Sequence, residues 1–295
     1  MKQKLLFIYN PRAGKERIKS HLFGIIDVFS KAGYVVTTWP TMAQGDAEVI
    51  AEENAAGYDL IVCSGGDGTL DEVVTGMLRG GVKKSLGYIP AGSTNDFGAS
   101  LMLPRRMRHA AEVAVSGRDF LCDIGKFNLA HFVYVAAFGL FTDVTYETDQ
   151  QLKNVLGHAA YILEGMKRVA DVKTYHMTVS YDGETITGDF IVGMITNSES
   201  VGGIKGITGS HVALDDGLLE VVLVRKPPIG EINRTVAALF DRNISSEYVV
   251  SFETDHVTIT SDIKTAWTLD GEYGGEVTVA DISCVPGAVS IRIPK

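Results

Sequence analysis

The sequence predicts an α/β N-terminal domain with a mostly parallel sheet, residues 1–125, followed by an all-β sandwich domain, residues 126–295. Three observations carry this. Up to about residue 125, short apolar runs alternate with stretches whose apolar residues recur at helical spacing. Beyond Lys126 the texture changes to Val-, Ile-, Thr- and Tyr-rich runs separated by Asp-Gly turns such as Asp182-Gly183, Asp216-Gly217 and Asp270-Gly271, the pattern of an antiparallel sandwich or barrel. The length, 295 residues, suits two domains or one large one.

The first half reads in order as follows. Leu5–Tyr9 is an apolar strand. Glu16–Lys31 carries Leu22, Ile25, Ile26 and Phe29 at helical spacing. Val35–Trp39 is a strand, Ala43–Ala55 a helix, and Leu60–Cys63 a buried strand. Leu70, Val73, Val74, Met77 and Leu78 then mark one face of a helix ending near Arg79. Leu86–Ile89 is a strand and Met107–Ser116 a helix. In sheets of this kind ligands sit at the carboxyl ends of strands. Three polar turns follow strands here: Asn10–Lys15, Ser64–Thr69 and Pro90–Phe97. Neighbouring strands would bring all three to one edge.

In the second half the strand runs are Phe132–Ala137, His176–Tyr181, Phe190–Thr196, Leu218–Val224, His256–Ser261, Trp267–Leu269, Glu276–Val279 and Val289–Ile293. Two helical insertions, roughly Leu152–Val169 and Ile229–Phe240, interrupt them.

Composition narrows the function classes. With 45% hydrophobic and 21% charged residues the chain has the make-up of a soluble globular protein. Lys and Arg number 27 against 36 Asp and Glu, a formal net charge of −9, which disfavours nucleic acid as the partner. The longest strongly apolar run, Phe132–Phe141, is too short to span a bilayer. The apolar stretch after Met1 stops at Asn10-Pro11 and reads as a first strand rather than a secretory signal. Cys63, Cys122 and Cys284 are widely spaced, fit no metal pattern, and read as free cytosolic thiols.

The richest segment is Ser64-Gly65-Gly66-Asp67-Gly68-Thr69-Leu70-Asp71-Glu72-Val73. It places three glycines and an aspartate in a strand-to-helix turn. Glycine lets backbone amides approach a ligand closely, and the amides and dipole of the following helix favour phosphate. A carboxylate in such a loop suits a divalent cation bridging to phosphate oxygens. The turn has neither the Gly-Lys-Ser/Thr ending of a P-loop nor the GxGxxG spacing of a dinucleotide fold. Thr69 and Glu72 read as a capping box, so Glu72 is expected to cap rather than catalyse. Asp71, in the first helical turn, either suits the macrodipole structurally or helps place the divalent cation. His109, His158 and His211 show no triad spacing.

Six motifs occur in order: Asn10-Pro11-Arg12-Ala13-Gly14-Lys15; the Gly-Gly-Asp-Gly-Thr turn; Pro90-Ala91-Gly92-Ser93-Thr94-Asn95-Asp96-Phe97; Asp123-Ile124-Gly125; Asp215-Asp216-Gly217-Leu218-Leu219; and Leu269-Asp270-Gly271-Glu272. Over essentially its full length the chain resembles the diacylglycerol kinase catalytic family of soluble bacterial lipid kinases, and within it the B type of Gram-positive bacteria.

The resemblance implies a nucleotide-binding α/β domain, a β-sandwich domain and an active-site cleft between them. It implies ATP and Mg²⁺. Asn10, Pro11, Gly14 and Thr41 match nucleotide contacts, and Gly65, Gly66, Asp67, Gly68 and Thr69 match the ATP phosphate loop, with Asp67 reaching a nucleotide-bound Mg²⁺. Gly92 and Ser93 match a Gly-Thr pair, the serine keeping the hydroxyl. Asp123 matches an acidic residue that shapes the active site, and Glu272 the carboxylate that acts as base for the lipid hydroxyl. Asp216, with backbone oxygens at Ala213 and Leu218, matches a second, structural Mg²⁺ site. Ser210 stands where the family often has Pro.

The implied reaction is ATP-dependent phosphorylation of a lipid hydroxyl, diacylglycerol to phosphatidic acid. Alternatives are another lipid alcohol (a sphingoid base or phosphatidylglycerol), NAD kinase, which shares the Gly-Gly-Asp-Gly-Thr turn, and a non-catalytic nucleotide or lipid sensor. The expected partner is a lipid at a membrane surface, met by transient peripheral contact from the cytoplasm at the inner membrane face. Arg105, Arg106 and Arg108, with Lys153, Lys167, Arg168 and Lys173, are candidates for that contact. Phe132–Phe141 and Val155–Met166 are candidate apolar linings. A homodimer is left open.

Overall fold

The computed structural model describes residues 2–139, 173–207, 212–241, 244 and 246–295. It divides into two compact units. The first runs to Ile124 and takes back Pro286–Lys295; the second is Gly125–Val285.

The first unit alternates strand and helix. Its elements are β1 (Lys4–Tyr9), α1 (Ile18–Lys31), β2 (Val35–Pro40), α2 (Asp46–Asn54), β3 (Leu60–Gly65), α3 (Asp67–Arg79), β4 (Leu86–Pro90), α4 (Asp96–Ser100) and α5 (Met107–Ser116). The strand order β4-β3-β1-β2 is parallel throughout, with Leu5 opposite Leu60 and Val36, and Cys63 opposite Tyr88. Every residue of β3 is buried, as expected of a central strand covered on both faces. Strand periodicity separates the two faces. Leu5, Phe7, Leu60 and Val62 form a core with Ile25 and Phe29 of α1 and Ala110, Ala111 and Ala114 of α5. α2 and α3 pack on each other and against β1 and β3.

Two strands cross the boundary between units: β5 (Arg118–Phe127) and β15 (Glu272–Ile293). The second unit thus ends ten residues before the span 126–295 expected for the second domain does. The end of β15 returns to the first unit, where Ile291 pairs in parallel with Leu86 and the Arg292 guanidinium meets Asp119 at 3.1 Å.

The second unit is antiparallel at every pairing described, and β6 (Ala130–Phe132), β7 (Val135–Gly139), β8 (Tyr175–Tyr181), β9 (Glu184–Thr196), β12 (Leu219–Arg225), β13 (Val249–Thr254) and β14 (His256–Leu269) build it. The short pair β10 (Ser200–Val201) and β11 (Ile204–Lys205) stands apart. Long strands β9 and β14 each change partner along their length. Near one end they hold β8 between them, and near the other β7. A register shift between Thr260 and Thr265 accompanies the change in β14. Trp267, fully buried, packs between Phe127 and Phe138 with ring centroids 5.0 and 4.9 Å away.

One helix of this unit, α6 (Ile232–Phe240), matches the later expected insertion. The earlier one, Leu152–Val169, lies outside the described residues, as do Leu140 and Phe141, the Val155–Met166 lining, Lys153, Lys167, Arg168, His158, Ser210 and His211. β5 and β13 carry no apolar alternation strong enough to mark them in the sequence, and α4 begins inside the expected Pro90–Phe97 turn.

Candidate active site

The strand order places the ends of β1, β3 and β4 side by side, and the three polar turns meet there. The Asn10 amide donates to the Ser64 carbonyl at 2.8 Å, and the Ala91 amide to the Gly65 carbonyl at 2.8 Å. Asn10 closes its own turn by accepting from the Arg12 amide at 2.9 Å. Gly14 sits at φ 56°, and a Cβ there would strike the Ala91 carbonyl oxygen. Pro11 is half-buried beside it. Thr41, at the end of β2, is buried and its amide donates to the Tyr9 carbonyl at 2.9 Å.

The third turn is fastened by Asn95. Its side-chain oxygen accepts from the Gly92 amide at 2.8 Å and its amide donates back to the Gly92 carbonyl at 2.9 Å. Asn95 itself is left-handed, φ 55°, a conformation asparagine tolerates. Its presence in the sequence was a usable signal, since Asn before a helix start marks such turns. Ser93 stays exposed.

α3 starts at Gly66 with no side-chain cap. The Thr69 and Leu70 amides both close onto the Gly66 carbonyl, at 3.1 and 3.2 Å, and the helix dipole at this end favours negative charge. Gly68 lies in this first turn with nothing within 4 Å of where its Cβ would be. Glycine costs a helix stability, and no protein packing demands it here.

Asp67 is buried, and its carboxylate accepts from the Asp96 amide at 3.0 Å, the Phe97 amide at 3.4 Å and the Thr94 hydroxyl at 3.3 Å. It thus ties the glycine turn to the start of α4. Thr69, also buried, takes a 3.5 Å contact from the Asn10 side-chain amide. The expected capping box is corrected. Glu72 caps, but it caps α2: its carboxylate accepts from the Gly45 amide at 2.9 Å and the Ala47 amide at 3.1 Å. Burial pushes its carboxyl up, against the pull of those two amides. Asp123 is buried on β5 and accepts from the Gly287 amide at 2.7 Å. Burial pushes the Cys63 thiol far up, so it is inert.

In the second unit Glu272 opens β15 as an exposed residue paired with Leu269 across the hairpin. The turn is Asp270-Gly271, both left-handed at φ 51° and 89°, the geometry of a two-residue hairpin loop. Asp270 does more than turn. Its buried carboxylate accepts from the amides of Val133, Tyr134 and Val135 at 2.5, 2.9 and 2.9 Å. The Asp216 carboxylate accepts from the Leu218 amide at 3.0 Å in an exposed loop that also holds Ala213. No cluster of three or more His, Cys, Asp or Glu suited to a metal occurs among the described residues. The Ala213, Asp216 and Leu218 set is one carboxylate with backbone oxygens, hard donors of the kind Mg²⁺ takes along with retained water. His109 is exposed.

The family model of the diacylglycerol kinase catalytic domain matches residues 4–127, and that of the YegS C-terminal NAD kinase beta sandwich-like domain matches residues 135–293. A diacylglycerol kinase of Bacillus subtilis is 35% identical over 91% of this chain and 89% of its own length. One from Staphylococcus carnosus is 32% identical over 94% and 91%. A crystal structure of a diacylglycerol kinase from Bacillus anthracis superposes with a TM-score of 0.81, 25% identity, and coverage of 99% and 97%. With glycine turns at three adjoining strand ends and relatives this similar along the whole chain, the protein belongs to the diacylglycerol kinase family and is an ATP-dependent lipid kinase.

Proposed function

We propose that this chain phosphorylates diacylglycerol from MgATP, giving phosphatidic acid. The observation that carries the reading is the open space before Gly68, at a helix N-terminus that no side chain caps. Phosphoryl transfer asks a protein chiefly for positioning and charge neutralisation. The amides of the Gly65–Thr69 turn bind the polyphosphate, Asn10, Pro11, Gly14 and Thr41 hold the nucleotide, and Gly92 and Ser93 complete its phosphate contacts. Glu272 takes the proton of the lipid hydroxyl as that oxygen attacks the γ-phosphorus. Its exposure supports the task, since an incoming hydroxyl can reach the carboxylate. Asp123 keeps the strand beside Gly287 in place.

Mg²⁺ with the nucleotide neutralises the charge on the phosphates, and Asp67 is the residue that would hold it. Ala213, Asp216 and Leu218 would hold a second ion with a structural role. Membrane contact is transient and peripheral, from the cytoplasmic side. No helix among the described residues is long and apolar enough to cross a membrane. Exposed Arg105, Arg106 and Lys173 support attraction to anionic headgroups, each such charge contributing ~1 kcal/mol near the surface; Arg108 is partly engaged by Glu112 at 3.5 Å.

The test is a panel of lipid alcohols incubated with labelled ATP and read by mass. Diacylglycerol should dominate. Label on a sphingoid base or phosphatidylglycerol instead would reassign the acceptor, and label on NAD alone would end the lipid reading.

A further inference from the structure

We infer that a cavity beside the third turn is a phosphate-binding subsite worked by Arg17 and Arg105. The cavity, about 200 Å³, is lined by both arginines together with Gly92, Ser93 and Thr94, and no acidic side chain lines it. That is room for far more than one water. Arg17 directly precedes α1 and Arg105 lies two residues before α5. Those helices pack on each other, so the two guanidinium groups enter one space from fixed supports.

Their lack of partners points to a ligand. Arg79, Arg108 and Arg292 each meet a carboxylate, those of Glu48, Glu112 and Asp119. Arg17 and Arg105 have no side-chain hydrogen bond or ion pair among the described residues. A guanidinium presents a planar fork of donors that matches phosphate oxygens two at a time. The Ser93 hydroxyl adds a neutral donor. Thr94, bonded to Asp67, joins the cavity wall to the glycine turn. Gly92 belongs to both the cavity and the packed turns, so a phosphate here adjoins the nucleotide site proposed above. The inference rests on that reading for the source of the phosphate, not for the anion chemistry.

The decisive experiment is calorimetric titration of the full chain with inorganic pyrophosphate, without lipid. Wild type should bind. R17A and R105A should each weaken binding roughly tenfold or more, the loss expected for charge-assisted bonds. R105K, which keeps the charge and loses the fork, should fall between. Unchanged melting temperatures would show that the fold survives these exposed replacements. Two further arms name the source. A raised KM for ATP with kcat retained in R17A/R105A assigns the subsite to the nucleotide. Competition between pyrophosphate and dioctanoyl phosphatidic acid in wild type only, with KM for ATP unmoved, assigns it to the lipid product. Pyrophosphate binding that is absent in wild type, or as tight in R17A/R105A as in wild type, overturns the inference, even if those variants lose affinity for anionic vesicles. Arginine-dependent pyrophosphate binding without any lipid phosphorylation would leave the subsite standing and defeat the kinase reading of substrate.

Discussion

A Cβ on Gly92 would lie 2.5 Å from the Cα of Gly66, so the second and third turns touch backbone to backbone. Gly68, two residues on, faces open space. The same residue type therefore answers two different demands, and two substitutions separate them. Gly92→Ala forces the turns apart and should destabilise by about 1–3 kcal/mol, as overpacking does. Gly68→Ala should stabilise by about 0.5–1 kcal/mol by favouring the helix, yet raise KM for ATP. Denaturant melts beside kinetics would check both. A Gly68→Ala enzyme that is more stable and keeps its ATP affinity would show that nothing approaches that amide.

Asp67→Asn tests whether the buried aspartate is a tie, a cation ligand, or both. The amide keeps one acceptor for the Asp96 and Phe97 amides and loses the charge. A tie alone predicts a stability loss of about 1–3 kcal/mol with the Mg²⁺ dependence of turnover unchanged. The proposed double role predicts that loss together with a higher Mg²⁺ requirement, read by titrating activity with the metal at fixed ATP.

Much of this was legible because the first unit obeys simple periodicities. Leu60–Gly65 is buried throughout and reads as a central strand, and the meeting of three turns follows from strand adjacency alone. What escaped the sequence has physical causes. Glu72 sits at capping-box spacing from Thr69, but spacing along one helix cannot show that the N-terminus of α2 passes closer. Asp270 looks like turn chemistry because its three amide donors come from residues more than 130 positions away. The return of Pro286–Lys295 to the first unit is held by a parallel register with β4 and by contacts of Arg292 with Asp119 and of Gly287 with Asp123, none of which a local pattern encodes.

Asp270 and Glu272, two residues apart, should behave as opposites. Asp270→Ala strands buried amides of Val133, Tyr134 and Val135 and should cost about 3 kcal/mol of stability. Glu272→Gln removes an exposed carboxylate and should leave the melting temperature in place while lowering kcat by ~10²–10⁴-fold. Calorimetry with single-turnover kinetics distinguishes them. Wild-type turnover in Glu272→Gln would remove it from the mechanism.

His176 on β8 and Asp189 on β9 face each other in register, with Nδ1 and Oδ1 2.8 Å apart. The hydrogen bond to Asp189 is the main cause that lifts the imidazole above its ordinary 6.5; desolvation opposes it, and the charges of Asp189 and Asp262 add to it. A histidine held more basic in the folded state contributes its stability fully below pH 6.5, and loses it as pH rises through the lifted value. The pair is exposed, so the contribution is small and shrinks with salt. Proton NMR titration of the His176 ring should give a midpoint above 6.5 in wild type, and Asp189→Asn should bring it down. A wild-type midpoint at or below 6.5 would show that the carboxylate and the ring do not meet in solution, and with it that the side-chain ties across this face of the β8–β9 pair are the hydroxyl contacts of Thr178 with Thr187 and Ser180 with Thr185.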